Sequence, residues 1–343
     1  MPFAPPTLWQ GRLLVGGGDG RICCLAATTG RCLWQFQAAP AERRIFWFGH
    51  LISTWPIVGG VVVQDGVAYA VAGLAKENGI HAYALDAKSG KVIWEKDDAG
   101  AGGQAGPGGG LASIGQVAAG AGKLWLCSSS SVPGSFDLKS GQWQPAAGGV
   151  YGCEIGVIDG KWTVHGGRRL TETQDTLTKP LSGTGLAGCS VDGQPAGIPV
   201  TDAGTSLPAW DQELAIMPPK AAWGALTALP LAKLMDWFPQ RAAQLASKPP
   251  ASGPKPKPSE WAEHKLWATE TIVPVAFALA KDQLVVAYLA EKRAKLSGFS
   301  RTDGAKAWTI DLPEQPVMNR LAIDRDGRTI VALCDGSVVC VGR

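Results

Sequence analysis

A turn followed by a tryptophan recurs along the chain, and this repeat constrains the fold more than any other feature of the sequence. In residues 80–94 a strand-like segment leads into a turn that ends at Gly90, and a β-branched and aromatic run then reaches Trp94. Glycine suits such a turn because it adopts positive φ without strain. Each copy therefore predicts two antiparallel strands joined by a tight turn. Three copies keep the spacing: Gly30 with Trp34, Gly90 with Trp94, and Gly304 with Trp308.

A fourth copy is degenerate: its tryptophan, Trp143, lies closer in sequence to its turn glycine, Gly141, than in the other copies. A strand-built unit that recurs at about 40 to 60 residues indicates a radial or stacked array. In such an array each sheet buries its faces only against neighbouring sheets. Trp34, Trp94 and Trp308 are therefore predicted to be buried between adjacent units.

The composition agrees with an array of short strands. Of the 343 residues 45 % are hydrophobic and 18 % charged, and 45 glycines, 24 prolines and 14 tryptophans suit many strands joined by tight turns. A net charge of +3 is too small and too dispersed to indicate a nucleic-acid partner. No apolar run is long enough to predict a membrane span, and the first residues, Met1 to Pro6, do not encode a signal peptide.

The eight cysteines and four histidines show no metal-ligand spacing. Most of the cysteines lie in strand-like runs, and no C-x-x-C occurs. We therefore predict that they are buried as small hydrophobic residues. The cysteines are Cys23, Cys24, Cys32, Cys127, Cys153, Cys189, Cys334 and Cys340.

Turn signals divide the chain into units. The pattern predicts strand-built units at about residues 6–38, 56–98 and 112–145, and a further hairpin within 151–168. Between 169 and 217 the strands are weak and the unit boundaries stay undefined. Strands return at 273 and continue to the end of the printed sequence.

An insertion is predicted at residues 218–268. Four apolar residues at helical spacing predict a short amphipathic helix there: Leu231, Leu234, Met235 and Phe238. Residues 248–258 are rich in proline and lysine, which is typical of an extended surface linker. A ligand role for this linker in partner recognition is the alternative.

The repeats resemble a known family. Residues 83–94 and 25–34 look like the repeat of pyrroloquinoline-quinone (PQQ)-type β-propellers, whose tryptophans hold neighbouring blades together. Segments 42–45, 55–56, 63–66 and 335–342 further resemble the C-terminal part of large exported proteins of this class that are common in planctomycetes. The resemblance covers about two thirds of the chain and is weakest in 150–270. It implies an all-β propeller of six or seven four-stranded antiparallel blades, eight in intact relatives, formed by residues 1–343 as one domain that is expected to be incomplete at its N-terminal side.

Quinone-dependent dehydrogenases of that family carry an acidic base, calcium ligands and a disulfide between adjacent cysteines over the cofactor. Cys23 and Cys24 are adjacent, but they lie within a predicted strand, where a disulfide between neighbours does not fit. No C-x-x-C-H haem site occurs. We therefore expect no catalytic, cofactor-binding or metal-binding residues and no cofactor, with PQQ as the alternative.

Two further motif matches carry little weight. Residues 183–188 satisfy G-x-G-x-x-G, but no strand-then-helix context surrounds them. Residues 324–327, Asp-Arg-Asp-Gly, are similar to a calcium loop but lack the later acidic ligands, and they also suit a hairpin turn. Neither match predicts a site.

Two classes of function remain. The first is a non-catalytic propeller that binds a protein or small-molecule partner on its face, as scaffold propellers do when they help to assemble outer-membrane proteins. The second is a quinone-dependent oxidoreductase. The missing acid, calcium and haem residues favour the first class. The relatives implied by the resemblance are exported, periplasmic or at the cell surface, whereas the printed chain itself does not define its location.

The connection from residue 39 to 55 is the candidate binding site. It is longer than a turn requires and is rich in charge and aromatic residues. In propellers such a connection between blades lies on the face where ligands usually bind. The candidate residues are Arg43, Arg44, Trp47, His50 and Trp55. The alternative is that they only cap the blades and hold the loop in place.

The last unit is predicted to be incomplete. Residues 321–341 supply three strands where the other copies continue to a fourth strand with a tryptophan. The N-terminal segment reads as the first strand of its own unit, so it is not expected to fill this gap. We therefore expect imperfect closure and self-association through the open blade edge.

Overall fold

A computed structural model describes residues 4–47, 50–74, 78–97, 115–120, 122–126, 134–145, 154–158, 162–166, 187–191, 194–201, 209–217, 225–233, 236, 264–291 and 293–342. The chain divides into two compact units. The first comprises residues 1–173 and 188–197, and the second comprises residues 174–187 and 198–343.

The first unit contains three complete antiparallel sheets, a separate hairpin and most of a fourth sheet. The first sheet contains β1 (Thr7–Trp9), β2 (Arg12–Gly16), β3 (Arg21–Ala26) and β4 (Cys32–Gln37). The hairpin contains β5 (Arg44–Trp47) and β6 (His50–Ser53). The second sheet contains β7 (Val61–Gln64), β8 (Val67–Ala72), β9 (His81–Asp86) and β10 (Val92–Lys96). The third contains β11 (Val117–Gly120), β12 (Lys123–Leu126), β13 (Gly134–Asp137) and β14 (Trp143–Pro145), and the fourth contains β15 (Glu154–Ile158), β16 (Trp162–Gly166), β17 (Ala187–Val191) and β18 (Gln194–Thr201).

The second unit contains the remaining three sheets. The fifth contains β19 (Ala209–Trp210), β20 (Leu214–Met217), β21 (Thr227–Pro230) and β22 (Trp267–Ala268). The sixth contains β23 (Val273–Leu279), β24 (Gln283–Ala290), β25 (Arg293–Ser300) and β26 (Lys306–Asp311). The seventh contains β27 (Pro316–Ile323), β28 (Thr329–Leu333) and β29 (Val338–Val341).

The arrangement confirms the predicted all-β propeller. Within the described residues, six sheets have four strands and one has three, and the strands of each sheet follow one another in chain order. The first strands of successive sheets lie side by side: β1 with β7, β7 with β11 and β11 with β15 in the first unit, and β19 with β23 and β23 with β27 in the second. Inner strands that meet in this way are typical of propeller blades.

The core lies between neighbouring sheets. Leu14 and Ile22 of the first sheet pack with Ala70 and Leu85 of the second, and all four are almost fully buried. Small side chains allow the first and second sheets to pack closely. Strand β9 of the second sheet alternates large and small side chains and is buried on both faces. Tyr83 of β9 donates its hydroxyl to the carbonyl of Ala38 over 2.8 Å. Burial raises the pKa of Tyr83 to about 12, so this hydroxyl stays a donor at neutral pH.

The repeated turns share one hydrogen-bond pattern. Asp86 accepts the backbone N–H of Ser89 at 2.7 Å and its hydroxyl at 2.6 Å. Asp137 accepts the same two groups of Ser140 at 2.8 and 2.7 Å. These bonds from Ser89 and Ser140 lower the pKa of each carboxyl and stabilise the turns. The turn glycines that follow adopt positive φ, 72° at Gly90.

Two of the three tryptophans with intact spacing, Trp34 and Trp94, pack on the turn glycine of the next sheet. The ring of Trp34 lies against Gly90, and its Nε1 donates to the carbonyl of Ala87 at 3.3 Å. The ring of Trp94 lies against Gly141, and its Nε1 donates to the carbonyl of Leu138 at 2.9 Å. We name this arrangement the inter-sheet tryptophan contact. It confirms the inter-unit position predicted for both tryptophans, although each keeps one part of its surface exposed.

The other tryptophans differ from the repeat pattern. Trp267, which the spacing does not identify, makes the same contact with Gly304 and donates to the carbonyl of Arg301 at 2.8 Å. Trp308 packs against an apolar cluster formed by the sixth and seventh sheets. Its Nε1, however, donates to Gln283 of its own sheet at 3.0 Å. Trp143, of the degenerate copy, covers Gly134 within its own sheet. The interaction therefore depends on both the tryptophan and the turn it meets.

Two strands of the fifth sheet lie within the predicted insertion 218–268, β21 near its start and β22 at its last two residues. Residues 231–233, where the amphipathic helix was predicted to begin, are helical. Leu234, Met235, Phe238 and the linker at 248–258 lie outside the described residues. Four of the six residues of the G-x-G-x-x-G segment, 183–186, lie outside them as well. At 324–327 the chain forms a hairpin turn in which Asp324 accepts the N–H groups of Asp326 and Arg328, both at 2.9 Å.

The prediction that the cysteines are buried is wrong for most of those the structure describes. Cys24 is buried and Cys23 half-buried, whereas Cys32, Cys334 and Cys340 are exposed. Cys32 and Cys340 lie at exposed positions of outer strands, where alternate side chains face solvent, and Cys334 lies in a turn. A strand-like sequence alone therefore does not guarantee burial. All five thiols are free. Cys23 and Cys24 lie within β3, as expected, and adjacent residues of a strand project to opposite faces.

An ion cluster joins the fifth and sixth sheets. Arg301, whose side chain is 13 % exposed, bonds Asp211 and also donates to Glu213 at 3.0 Å and to the carbonyl of Ala280 at 3.1 Å. Burial opposes ionisation of Asp211, but the bonds from Arg301 and from two backbone N–H groups outweigh it and lower the pKa to about 2. Asp211 is therefore charged at neutral pH.

This cluster predicts acid sensitivity. A carboxyl with a lowered pKa in the folded state stabilises the fold above its unfolded pKa of about 3.9 and loses that contribution as the pH falls toward 2. We expect the free energy of unfolding of Asp211→Asn to fall less steeply than that of the wild type between pH 4 and pH 2, measured by urea unfolding. Asp311→Asn is the matched control: the bond from Lys295 lowers the pKa of Asp311 as well, but this carboxyl is exposed, so we expect a smaller change of slope. Parallel curves for Asp211→Asn and the wild type would contradict this role.

Candidate functional site

The hairpin β5–β6 stands apart from the blades and lies in the connection between the first and second sheets. Its register pairs Ile45 with Ile52 and Phe46 with Leu51. Because paired residues share one face of a hairpin, these two pairs project in opposite directions. The hairpin therefore has two faces, an inner and an outer one, which differ in their exposure to solvent.

The inner face is packed. Ile45, Ile52 and Trp47 contact Val58 and Leu74, of which Val58 is 5 % exposed. The outer face is open, because Phe46 is 77 % exposed and Leu51 is 58 % exposed. Directly opposed side chains of a hairpin lie about 5 Å apart, so these two form one apolar patch. We name Phe46 and Leu51 the outer pair.

Backbone hydrogen bonds hold the hairpin on the first sheet. The N–H of Ser53 donates to the carbonyl of Gly18 at 2.8 Å, and the N–H of Ile57 donates to the carbonyl of Gly17 at 3.0 Å. The N–H of Thr54 donates to the carbonyl of Arg43 at 2.8 Å and closes the base of the hairpin itself. Gly20 is crowded, since an added Cβ would lie 2.5 Å from the Cβ of Ala39. Its φ of 80° further requires glycine. The hairpin that carries the outer pair is therefore held in a fixed position against the first sheet.

A cavity of about 560 Å³ adjoins the hairpin. One wall is formed by the hairpin and the segment leading into it, and the other by the turn between β2 and β3 with the end of β4. The side chains that carry charge or hydrogen-bonding groups are Asp19, Arg21, Gln37, Glu42, Arg43, Arg44, His50 and Ser53. Leu51 of the outer pair also lines the cavity, so the apolar patch and the cavity are continuous.

Three arginines face this cavity. Arg44 lies 3.4 Å from Glu42, and Arg21 lies 3.9 Å from Asp19 while donating to Gln37 at 2.8 Å. Arg43 is exposed, and among the described residues no carboxylate lies within ion-pair distance of it. Exposed pairs of this kind contribute only about 0 to 1 kcal/mol and exchange readily. The described lining has three arginines and two carboxylates, a net charge of +1, and Arg43 can bind a further carboxylate.

The structure brings together three of the five candidate residues. Arg43, Arg44 and His50 line the cavity. Trp47 packs under the hairpin. Trp55 is 8 % exposed in the core, where its Nε1 donates to the carbonyl of Asn78 at 2.6 Å and its ring meets that of His81 edge-on. Trp55 therefore positions the connection and does not line the cavity.

A second cavity of about 640 Å³ lies on the sixth sheet. Its lysines are already paired, Lys295 with Asp311 at 3.0 Å and Lys306 with Glu270. Below it the buried hydroxyl of Tyr288 meets that of Ser297 at 3.0 Å.

Within the described parts of the chain, no three His, Cys, Asp or Glu side chains cluster as metal ligands would. There too, no helix is long and apolar enough to cross a membrane.

Comparison with known proteins defines the repeat. A PQQ-type family model, described as outer membrane protein assembly factor BamB, matches residues 3–156, which include the first three sheets and the hairpin. Residues 3–156 carry the PQQ-like propeller repeat. No curated protein matches the sequence of this chain.

Two solved structures share the β-propeller fold of this chain. BamB from Moraxella catarrhalis has a TM-score of 0.54 at 13 % identity, with 98 % of this chain and 87 % of that chain covered. The β-propeller domain of Cps50 (Swd1) from Myceliophteria thermophila has a TM-score of 0.54 at 8 % identity, with 99 % and 98 % covered. Identities this low show the fold alone.

Proposed function

We propose that this propeller is a non-catalytic binding module that holds a partner polypeptide on the hairpin β5–β6. The observation that carries the proposal is the outer pair, two large apolar side chains exposed side by side on a fixed support. Exposed aromatic and aliphatic residues of this kind act as anchors in protein interfaces. The family match spans the hairpin, and its description names protein assembly, which supports a protein as the partner.

The charges beside the outer pair define the chemistry of the partner. An apolar group would cover Phe46 and Leu51, and an acidic group would meet Arg43 and Arg44 in the cavity. The partner segment is therefore apolar with a flanking carboxylate. Such charge pairs at the rim chiefly speed association, whereas the apolar anchors slow dissociation.

The test compares how two double variants bind a partner. The partner is first isolated by photo-cross-linking to benzoylphenylalanine at position 46. Phe46→Ser with Leu51→Ser is expected to weaken binding by at least about tenfold, because anchor residues carry most of the binding free energy. Val92→Ser with Ile93→Ser removes two exposed apolar side chains of β10 and is expected to bind normally. Normal binding by the hairpin variant, or equal loss in both, would overturn the proposal.

A titration separates this module from a quinone-dependent oxidoreductase. Purified protein mixed with PQQ and calcium is expected to leave the absorption spectrum of the quinone unchanged and to reduce no dye. A saturable spectral change with dye reduction would instead establish the oxidoreductase. Both experiments use the full chain, so they report on the same molecule.

A further inference from the structure

The second cavity, on the sixth sheet, is separate from the hairpin. Its volume of about 640 Å³ lies in the range of small-molecule sites. Its walls are strands β24, β25 and β26 together with residues 270–272, which lead from the fifth sheet to the sixth. All of these residues belong to the second unit. An inference from this cavity therefore does not depend on the function proposed for the hairpin.

Strand pairing brings three hydroxyl groups together on one face of the sixth sheet. Tyr288 is paired with Lys295, and Ser297 is paired with Thr309. Cross-strand partners share a face, and Lys295 and Ser297 are two residues apart in β25, so both pairs lie on the same face. The hydroxyl of Tyr288 lies 3.0 Å from that of Ser297, which also bonds the hydroxyl of Thr309. We name these three groups the hydroxyl chain.

A charged lysine fixes one end of the hydroxyl chain. Lys306 pairs with Glu270, and its ammonium group also interacts with the hydroxyl of Tyr288. The bond with Glu270, aided by Tyr288, raises the pKa of Lys306, so the ammonium stays charged at neutral pH. An ammonium group donates hydrogen bonds and accepts none. The oxygen of Tyr288 is therefore the acceptor in this interaction.

Burial sets the direction of the hydroxyl chain. Tyr288 is 2 % exposed and Ser297 is 0 % exposed, whereas Thr309 is exposed. A buried hydroxyl proton without an acceptor is costly, so Tyr288 donates to Ser297 and Ser297 donates to Thr309. The proton of the Thr309 hydroxyl is then left for an acceptor in the cavity, which Thr309 lines.

The rest of the lining offers donors and acceptors in balance. It contains two lysines and two glutamates, so its formal charges cancel. Lys295 pairs with Asp311 at 3.0 Å and keeps further ammonium protons for other acceptors. The glutamates, Glu270 and Glu291, offer carboxylate oxygens. A charged ligand would meet a like charge here, whereas a neutral ligand with several hydroxyl groups would bind both kinds of group. The apolar part of the lining includes Ile272, Ala290 and Ala307.

We propose that this cavity binds a neutral saccharide. Each hydroxyl of a sugar both donates and accepts hydrogen bonds, which matches a lining that has both kinds of group and no net charge. One sugar oxygen accepts the Thr309 proton, neighbouring hydroxyls bind the lysines and glutamates, and the C–H face of the ring packs on the apolar residues. Tyr288 does not touch the ligand. It is a positioning residue, because it keeps the Thr309 proton directed into the cavity.

Isothermal titration calorimetry of the full chain tests the proposal. The neutral probes are maltotriose, cellotriose and chitotriose, and the charged probes are glutarate and spermidine. At least one neutral probe is expected to bind saturably and more tightly than either charged probe. Thr309→Val keeps the shape of the side chain but removes its proton, and it is expected to weaken that binding about fivefold, as loss of one hydrogen bond does. Thr302→Val, in an exposed turn outside the cavity, is expected to bind like the wild type.

Tyr288→Phe tests the positioning role. Without the phenol group Thr309 donates to Ser297, so its proton is no longer directed into the cavity. We expect binding to weaken about as much as in Thr309→Val, and the double variant to lose no more than either single variant. Additive losses would contradict the hydroxyl chain as the cause.

Three results would overturn the saccharide site itself. They are no saturable binding of any neutral probe, tighter binding of a charged probe, and unchanged binding by Thr309→Val. The thermal midpoints of Thr309→Val and Thr302→Val are expected to equal that of the wild type, so a loss of binding reports on the site and not on folding.

Discussion

Trp94→Ala is expected to lower the free energy of unfolding by about 3 to 5 kcal/mol, as truncation of a large packed aromatic residue does. The ring of Trp94 fills the space between the second and third sheets, where it lies on Gly141 and has Tyr69 at 6.0 Å and Phe136 at 6.5 Å between ring centroids. The neighbouring turn is fixed by the bonds of Asp137, so the cavity cannot close by collapse. Urea unfolding followed by circular dichroism measures the loss.

Trp94→Phe separates the two parts of this contact. Phenylalanine keeps an aromatic ring but cannot donate to the carbonyl of Leu138, so we expect a smaller loss of about 1 to 2 kcal/mol. A loss below about 1 kcal/mol for Trp94→Ala would show that the ring does not hold the two sheets together. Trp267→Ala should behave like Trp94→Ala, because Trp267 makes the same contact with Gly304.

Gly90→Ala is the second change with a large expected effect, and Gly30→Ala is its matched control. Both glycines have nearly the same positive φ, 72° at Gly90 and 68° at Gly30, so the backbone strain of about 1 to 2 kcal/mol is common to both. A Cβ at Gly30 meets nothing within 4 Å, whereas a Cβ at Gly90 would lie 2.7 Å from Cε3 of Trp34. We expect Gly90→Ala to cost about 1 to 3 kcal/mol more than Gly30→Ala, because overpacking adds to the strain.

A double-mutant cycle assigns that excess. In a Trp34→Ala background the ring is absent, so Gly90→Ala is expected to cost no more than Gly30→Ala. Urea unfolding of the four proteins gives the coupling free energy. An excess that persists without Trp34 would contradict the inter-sheet tryptophan contact as its cause.

The sequence predicted the sheets well where the repeat is intact. The turn glycine fixes the backbone and the tryptophan fills the space beside the next sheet, so their spacing located Trp34 and Trp94. Trp267 was missed because the insertion before β22 removes the turn glycine from its own sheet, although its partner Gly304 was identified. Trp308 was identified by spacing, but it bonds Gln283, which no repeat pattern reports.

The candidate site was only partly predictable. The length of the connection and its charges indicated Arg43, Arg44 and His50, and the structure places them at one cavity; their role in binding stays a prediction. The outer pair was missed because residues 45–48 are all apolar, so no alternation shows which residues project outward. Only the pairing of β5 with β6 assigns Phe46 to the exposed face and Trp47 to the packed one.

The most direct test of the proposed binding surface is photo-cross-linking in the native host with benzoylphenylalanine at position 46. The account predicts one discrete adduct at this position, its loss when Leu51→Asp is added, and no such adduct from the same group at position 93, an exposed site on β10. Equal adducts from both positions, or none from position 46 in a folded and expressed protein, would contradict the assignment of the hairpin as the partner-binding surface.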